Sequence, residues 1–166
     1  MSGASRRAFS SSFWSSPMIS RNSWRLCLAF ALSACVSGPH FYVQYGNEYR
    51  EIELDKILAE NPIGPQENIK VANLGRSESA SQHVVQIRDR EIPHVHKIHD
   101  VTVTMMRGQG YLVMDKNRIN LKAGDVVHIP RGVMHYFVNT HREPSVAMAV
   151  YAPAFDGKDT HPVQEP

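Results

Sequence analysis

At 166 residues the chain is long enough for one domain, and no internal repeat is visible. Hydrophobic residues make up 42% and charged residues 20%, an ordinary balance for a globular protein. The formal net charge of +2 comes from Arg6, Arg7, Arg21 and Arg25. Without residues 1–35 there are 14 basic against 16 acidic side chains, which excludes a basic patch for nucleic acid.

The N-terminal 35 residues do not read as fold. Arg21 and Arg25 precede a short apolar run, Leu26 to Leu32. It is too short to span a bilayer and has the flanks of a secretory signal. Leu32, Ser33, Ala34 and Cys35 follow, and this run resembles a bacterial lipoprotein lipobox. The resemblance implies a signal peptide over 1–34, a lipid on Cys35 and anchoring at the periplasmic face of the cell envelope. Met18 offers a second start, alternative to Met1, that leaves a compact signal. Cys27 departs with the signal and Cys35 carries the lipid. No thiol then remains for a disulfide, a nucleophile or a metal.

Residues 35–47, with Ser37, Gly38 and Pro39, read as a tether, and residues 48–166 as the domain. The stretch from Tyr49 to Glu60 is predicted to hold one short helix, since Ile52, Leu54, Ile57 and Leu58 recur at helical spacing. Pro62 and Pro65 end it, because proline cannot continue a helix. Strands are predicted over 68–74 and 83–88. Val101, Val103 and Met105 alternate with Thr102, Thr104 and Met106, a period of two that marks a strand with one buried face. Further strands follow over 111–114, 119–121, 126–129, 133–139 and 145–151. Asp115 and Asn117 make one turn, and Ala123 and Gly124 another. The tail from Pro153 is loop-like, with Phe155 placed to fold back over the barrel. Short strands broken by turns every eight to twelve residues define an all-β sandwich or barrel.

The chemistry lies in two segments about forty residues apart. His94 and His96 are two apart on an extended segment and therefore share a face. His135 lies on a strand after the turn at Pro130 and Gly132. If these strands line one barrel, three imidazoles converge on a point and can hold one divalent transition metal. A fourth ligand comes from His99 or Asp100. Strand phase from Val101 turns His99 inward, whereas counting residues after His96 favours Asp100; Asp100 can instead orient a ligand imidazole. His128 reads as a rim residue, and His40, His83, His141 and His161 receive no role. Arg131, Tyr136 and Asn139 read as turn or core residues near the barrel mouth.

At these residues the sequence resembles the cupin superfamily. Gly124, Pro130, Gly132, His135 and Asn139 fit the family's second motif position for position. His94, His96 and Gly108 fit the first. Arg88 replaces that motif's opening glycine. Its glutamate is missing: Val101 takes the place counted back from Gly108, Asp100 the place counted on from His96. The resemblance covers residues 69–151 and implies a single double-stranded β-helix, a jelly-roll barrel, with a short helix before it. It also implies a small organic ligand or substrate, one metal ion (Fe, Mn, Zn, Ni or Cu) and a homodimer as an expected assembly.

Three functions follow. The first is a metal-dependent dioxygenase, isomerase or lyase. The second is a non-catalytic module of the cell envelope that binds a small molecule or a metal. The third is a barrel that the metal only staples. Fold alone does not choose among them.

Overall fold

The computed structural model describes residues 38–165. The signal segment, the lipobox and Cys35 lie outside the described residues. The ordered elements begin with strands β1 (His40–Tyr45) and β2 (Glu48–Glu53) and helix α1 (Leu54–Glu60). Then come β3 (Ile69–Arg76), β4 (Ser81–Ile87), β5 (His94–Val95), β6 (Asp100–Arg107), β7 (Gln109–Met114) and β8 (Asn117–Lys122). The chain finishes with β9 (Val126–Ile129), β10 (His135–Asn139), β11 (Ser145–Ala152) and β12 (His161–Pro162).

Two five-stranded antiparallel sheets form the barrel, ordered β12-β5-β10-β7-β8 and β3-β4-β11-β6-β9. Strands from distant parts of the chain alternate within each sheet, as in a jelly roll. The core between the sheets draws on both: Ile87, Val101 and Met105 from one, Leu112, Leu121 and Phe137 from the other. The all-β jelly-roll expectation is met, and the alternation read in residues 101–106 is its clearest local cause.

The sheet carrying β4 is covered on its outer face as well. Val84 points away from the barrel interior and is fully buried against Phe41, Val43, Leu54 and Ile57. Strand β4 is accordingly apolar on both sides, with Val84 facing out and Val85 and Ile87 facing the barrel.

That cover corrects two expectations. Much of the segment read as a tether is strand β1, and residues 49–53, read as the start of a helix, are strand β2. Phe41 and Val43 face the sheet while Tyr42 and Gln44 face outward, an alternation too short to register in the sequence. Gly46, at φ +60°, supplies the left-handed turn between the two strands. The helix begins only at Leu54, whose N–H bonds the carbonyl of Pro39 at 3.0 Å. Its Leu54 and Ile57 are buried, each stabilising by about 1.5–3 kcal/mol.

The turns that matter lie where expected. Asp115 adopts φ +49° between β7 and β8. Gly108 adopts φ +81°, and a Cβ there would stand 2.3 Å from Ser145 Oγ, so only glycine fits. Phe155 of the tail folds back as expected and stacks on Tyr151 at 4.5 Å; beyond that expectation, β12 adds an outer strand beside β5.

Candidate metal centre

His94 and His135 occupy directly opposed positions of the antiparallel β5–β10 pair. Opposed residues share a face, so both rings project to the same side. His96, two residues beyond His94, points the same way. The turn at Pro130–Gly132 ties the two motif segments together: Gly132, at φ +81°, donates its N–H to the carbonyl of His96 at 2.7 Å. The left-handed φ, not the bond itself, is the local reason the second motif needs its glycine. Asn139 closes the far end of β10, its amide donating to the carbonyls of Arg88 and Glu143, so its role is the structural one expected.

All three histidines are buried. Ring centroids lie 4.3 Å apart for His94 and His135, 5.0 Å for His94 and His96, and 5.2 Å for His96 and His135. One ligand nitrogen from each falls within 4.8 Å of the other two. Backbone carbonyls settle which nitrogen. His94 Nδ1 bonds the Ile92 oxygen at 2.8 Å, His135 Nδ1 the Val133 oxygen at 2.9 Å, and His96 Nδ1 the Asp159 carbonyl. A carbonyl oxygen can only accept, so each Nδ1 carries the proton and each Nε2 keeps its lone pair. Three lone pairs thus face one point, the arrangement that suits a divalent transition metal.

The electrostatics agree. Burial, with His94 and His96 beside it, pushes His135 down to about 4, against the opposing pull of the Val133 carbonyl. Burial lowers His96 as well, aided by His94 and His99 and opposed by Asp159. Both rings are therefore neutral near pH 7, the form that ligates metal without releasing a proton.

His99 and Asp100 do not join this cluster. His99 is inward and 2% exposed, as strand phase required, but its Nδ1 bonds Asp159 Oδ2 at 2.6 Å. Asp100 faces out and grips Arg131 through its backbone N–H, at 2.9 Å, and its guanidinium. The Arg131 bonds hold the Asp100 carboxyl below the usual carboxylate range. Arg131 is accordingly a turn residue. Among the remaining histidines, His128 is exposed and bonds Thr102 at 3.2 Å, in keeping with a rim position. His83 differs from the edge position expected of it: it is buried, bonded to Ser81 and packed edge-on against Tyr151.

Two acids at the site were missed. Asp159 lies sixty residues beyond His99, in the tail. It accepts N–H bonds from Lys97, Ile98 and His99 and ring bonds from His99 and His161, while its carbonyl orients His96. Burial pushes its carboxyl up, but the bonds from Ile98, His99, Lys97 and His161 together hold it well below the usual carboxylate range. Glu91 lines the barrel cavity three residues before His94. Its Oε2 accepts the Phe137 N–H at 2.8 Å, and burial raises its carboxyl against the pull of His94 and that N–H. Glu91 carried a sequence signal only in being an acid close to the histidine pair; Asp159 carried none, because its partners are distant in the chain.

The cavity has a volume of about 340 Å³, within the usual range for small-molecule pockets. The three histidines, Glu91 and Tyr151 stand on its wall, and Val101, Met105, Leu112 and Phe137 contribute to its apolar lining.

A closed antiparallel barrel with histidines from two motifs on its inner wall defines a cupin. Residues 83–151 match the cupin domain family. The chain is 38% identical over 111 residues to an uncharacterized protein of Aquifex aeolicus, a match covering 67% of this chain and 91% of that protein. The chain belongs to the cupin superfamily. Among solved structures it resembles KdgF from Halomonas sp., with TM-score 0.52 and 20% identity over 56% of this chain and 87% of that one. It also resembles the Streptomyces nucleoside dehydratase Pac13, with TM-score 0.53 and 19% identity over 74% of this chain and 93% of that one. At these identities the likeness is one of fold.

Proposed function

We propose that this cupin binds one divalent transition metal through Nε2 of His94, His96 and His135 and brings a small organic molecule to it inside the barrel. The observation that carries this reading is the shared commitment of the three Nδ1 atoms to backbone carbonyls, which leaves three convergent lone pairs. The metal would supply Lewis acidity at the three histidines on the cavity wall. The chain's own residues bind and orient: the apolar wall excludes water, and Glu91 provides an acceptor within reach of a bound molecule. A solved relative by fold, Streptomyces Pac13, is described with uridine, which supports a small molecule as the ligand. Elemental analysis of the purified full-length protein tests the metal. Close to one equivalent of a transition metal is expected; none after reconstitution refutes the reading. Turnover is tested by oxygen consumption with enols, catechols and 1,3-diketones.

A non-catalytic module is the second reading, favoured by Val101. This residue is buried and apolar at the place of the first motif's glutamate as counted back from Gly108. Ligand-dependent rises in melting temperature without turnover would establish it. The lipobox supports placing either protein at the periplasmic face of the envelope through a lipid on Cys35. Mass spectrometry of membrane fractions should find a diacylglyceryl group on Cys35, and an intact residue 1–34 segment on soluble protein would overturn the anchor.

A further inference from the structure

The cavity that holds the three histidines is sharply divided in chemistry. Most of its wall is aliphatic or aromatic, built from both sheets and closed by Phe155 of the tail. Its polar lining is confined to the three imidazoles, Glu91, Tyr151, Thr160 and Ser145. Ser145 is already engaged, its hydroxyl 2.7 Å from Asn139 Oδ1. No lysine or arginine lines the cavity among the described residues.

That inventory restricts what can bind. Phosphate and carboxylate groups are held by guanidinium or ammonium donors, or by free backbone N–H groups. Here the nitrogens that face inward are lone-pair acceptors, and the donors not already engaged are the uncharged hydroxyls of Tyr151 and Thr160. Of the two Glu91 oxygens only Oε2 has a protein donor among the described residues, the Phe137 N–H. The second oxygen is left for a ligand. A charged ligand would meet no fixed cation of the protein on this wall. An uncharged ligand loses little solvation on entering the apolar wall.

Size sets a second limit. A cavity of about 340 Å³ is roughly twice the ~150 Å³ that accepts benzene in an apolar protein core. One ring or two fused rings fill it.

We propose that the barrel takes a compact, uncharged, largely apolar molecule of one or two rings bearing a hydroxyl or enol group, which lies between the three imidazoles and Glu91. This rests on the small-molecule reading above and narrows it. The hydroxyl oxygen faces the histidine end and its hydrogen is donated to the free Glu91 oxygen. The rings lie against Val103, Met105, Leu112 and Phe137. Nucleotides, sugar phosphates and sugar acids are excluded as ligands.

The test is fluorescence titration of the full-length protein with 2-naphthol, naphthalene and 2-naphthyl phosphate, with metal content measured on the same samples. The dissociation constant for 2-naphthol should lie about tenfold below those of the other two, the size of one hydrogen bond. Glu91→Gln keeps an acceptor for the Phe137 N–H. It should weaken 2-naphthol about tenfold and leave naphthalene within about twofold. Equal or tighter binding of the phosphate overturns the proposal, as does failure of all three to bind. If Glu91→Gln does not fold, the ranking of the three probes on the wild-type protein decides alone. The metal reading fails separately: a metal-free protein that still ranks the probes this way keeps the ligand class and loses the metal. A metal-loaded protein that prefers the phosphate does the reverse.

Discussion

His94 and His135 face each other across the β5–β10 pair with ring centroids 4.3 Å apart, and each ring is held by the carbonyl two residues before it, Ile92 and Val133. The two rings are thus fixed by the same local device on separate strands. Their Nε2 atoms are preset, so a metal need not reorder side chains on binding. His135→Ala removes one of three ligands and leaves the other two in place. Metal affinity should fall by more than the ~10–100-fold typical of losing an outer partner of a ligand. Isothermal titration with Zn²⁺ or Mn²⁺ measures it, and retention of wild-type affinity would dismiss His135 as a ligand.

Asp159 should matter for both fold and site. Its carboxylate collects five hydrogen bonds, and its folded-state value lies below the ordinary one, so the ionised form is the stabilising form. That contribution is complete above the unfolded value near 4 and fades as pH falls through the folded value. Asp159→Asn puts an amide donor among donors and should cost about 2–3 kcal/mol at pH 7. The wild-type and variant stabilities should converge as pH drops below about 4. Urea unfolding of the metal-free proteins across that range gives the comparison; a pH-independent difference would show that ionisation is not the cause.

The two residues weighed as a fourth ligand separate cleanly by experiment. His99→Ala opens a void beside a buried carboxylate and removes its ring partner, so a loss of about 2–3 kcal/mol is expected. Asp100→Ala breaks a half-exposed pair with Arg131 and should cost no more than about 1 kcal/mol. Neither ring nor carboxylate lies with the three histidines, so metal affinity should change less than about tenfold in His99→Ala and hardly at all in Asp100→Ala. Calorimetry with Zn²⁺ distinguishes this from direct ligation, in which one of the two would abolish tight binding.

The histidine triad was legible because its placement follows from parity and from a short turn. His94 and His96 share a face by spacing alone, and Gly124 to Asn139 specify a turn and strand that bring His135 opposite. Residues whose placement depends on distant chain were not legible. Asp159 meets its partners across about sixty residues, and no local period records that. Strands β1 and β2 were hidden for another reason. Strand β2 is largely exposed, and its one inward residue, Ile52, continues into Leu54 and Ile57 of the helix, so the apolar pattern of the whole stretch reads as helical. His83 was misplaced because a buried histidine and an edge histidine look alike until Tyr151 and Phe155 close over the ring.

Val101 offers the last prediction. It lines the cavity, is 2% exposed, and sits where the first motif's glutamate falls when counted back from Gly108. Its side chain projects from β6, in the sheet facing the strands that carry His94 and His135. A carboxylate introduced there enters an apolar wall and in metal-free protein should cost about 3 kcal/mol or more. With metal present the same group gains a partner. The rise in melting temperature on adding Mn²⁺ should therefore be larger for Val101→Glu than for wild type, because an oxygen ligand joins three nitrogens. Differential scanning calorimetry with and without Mn²⁺ provides the comparison. An equal or smaller rise in the variant would mean that position 101 does not face the ion, and that the site's character owes nothing to the valine.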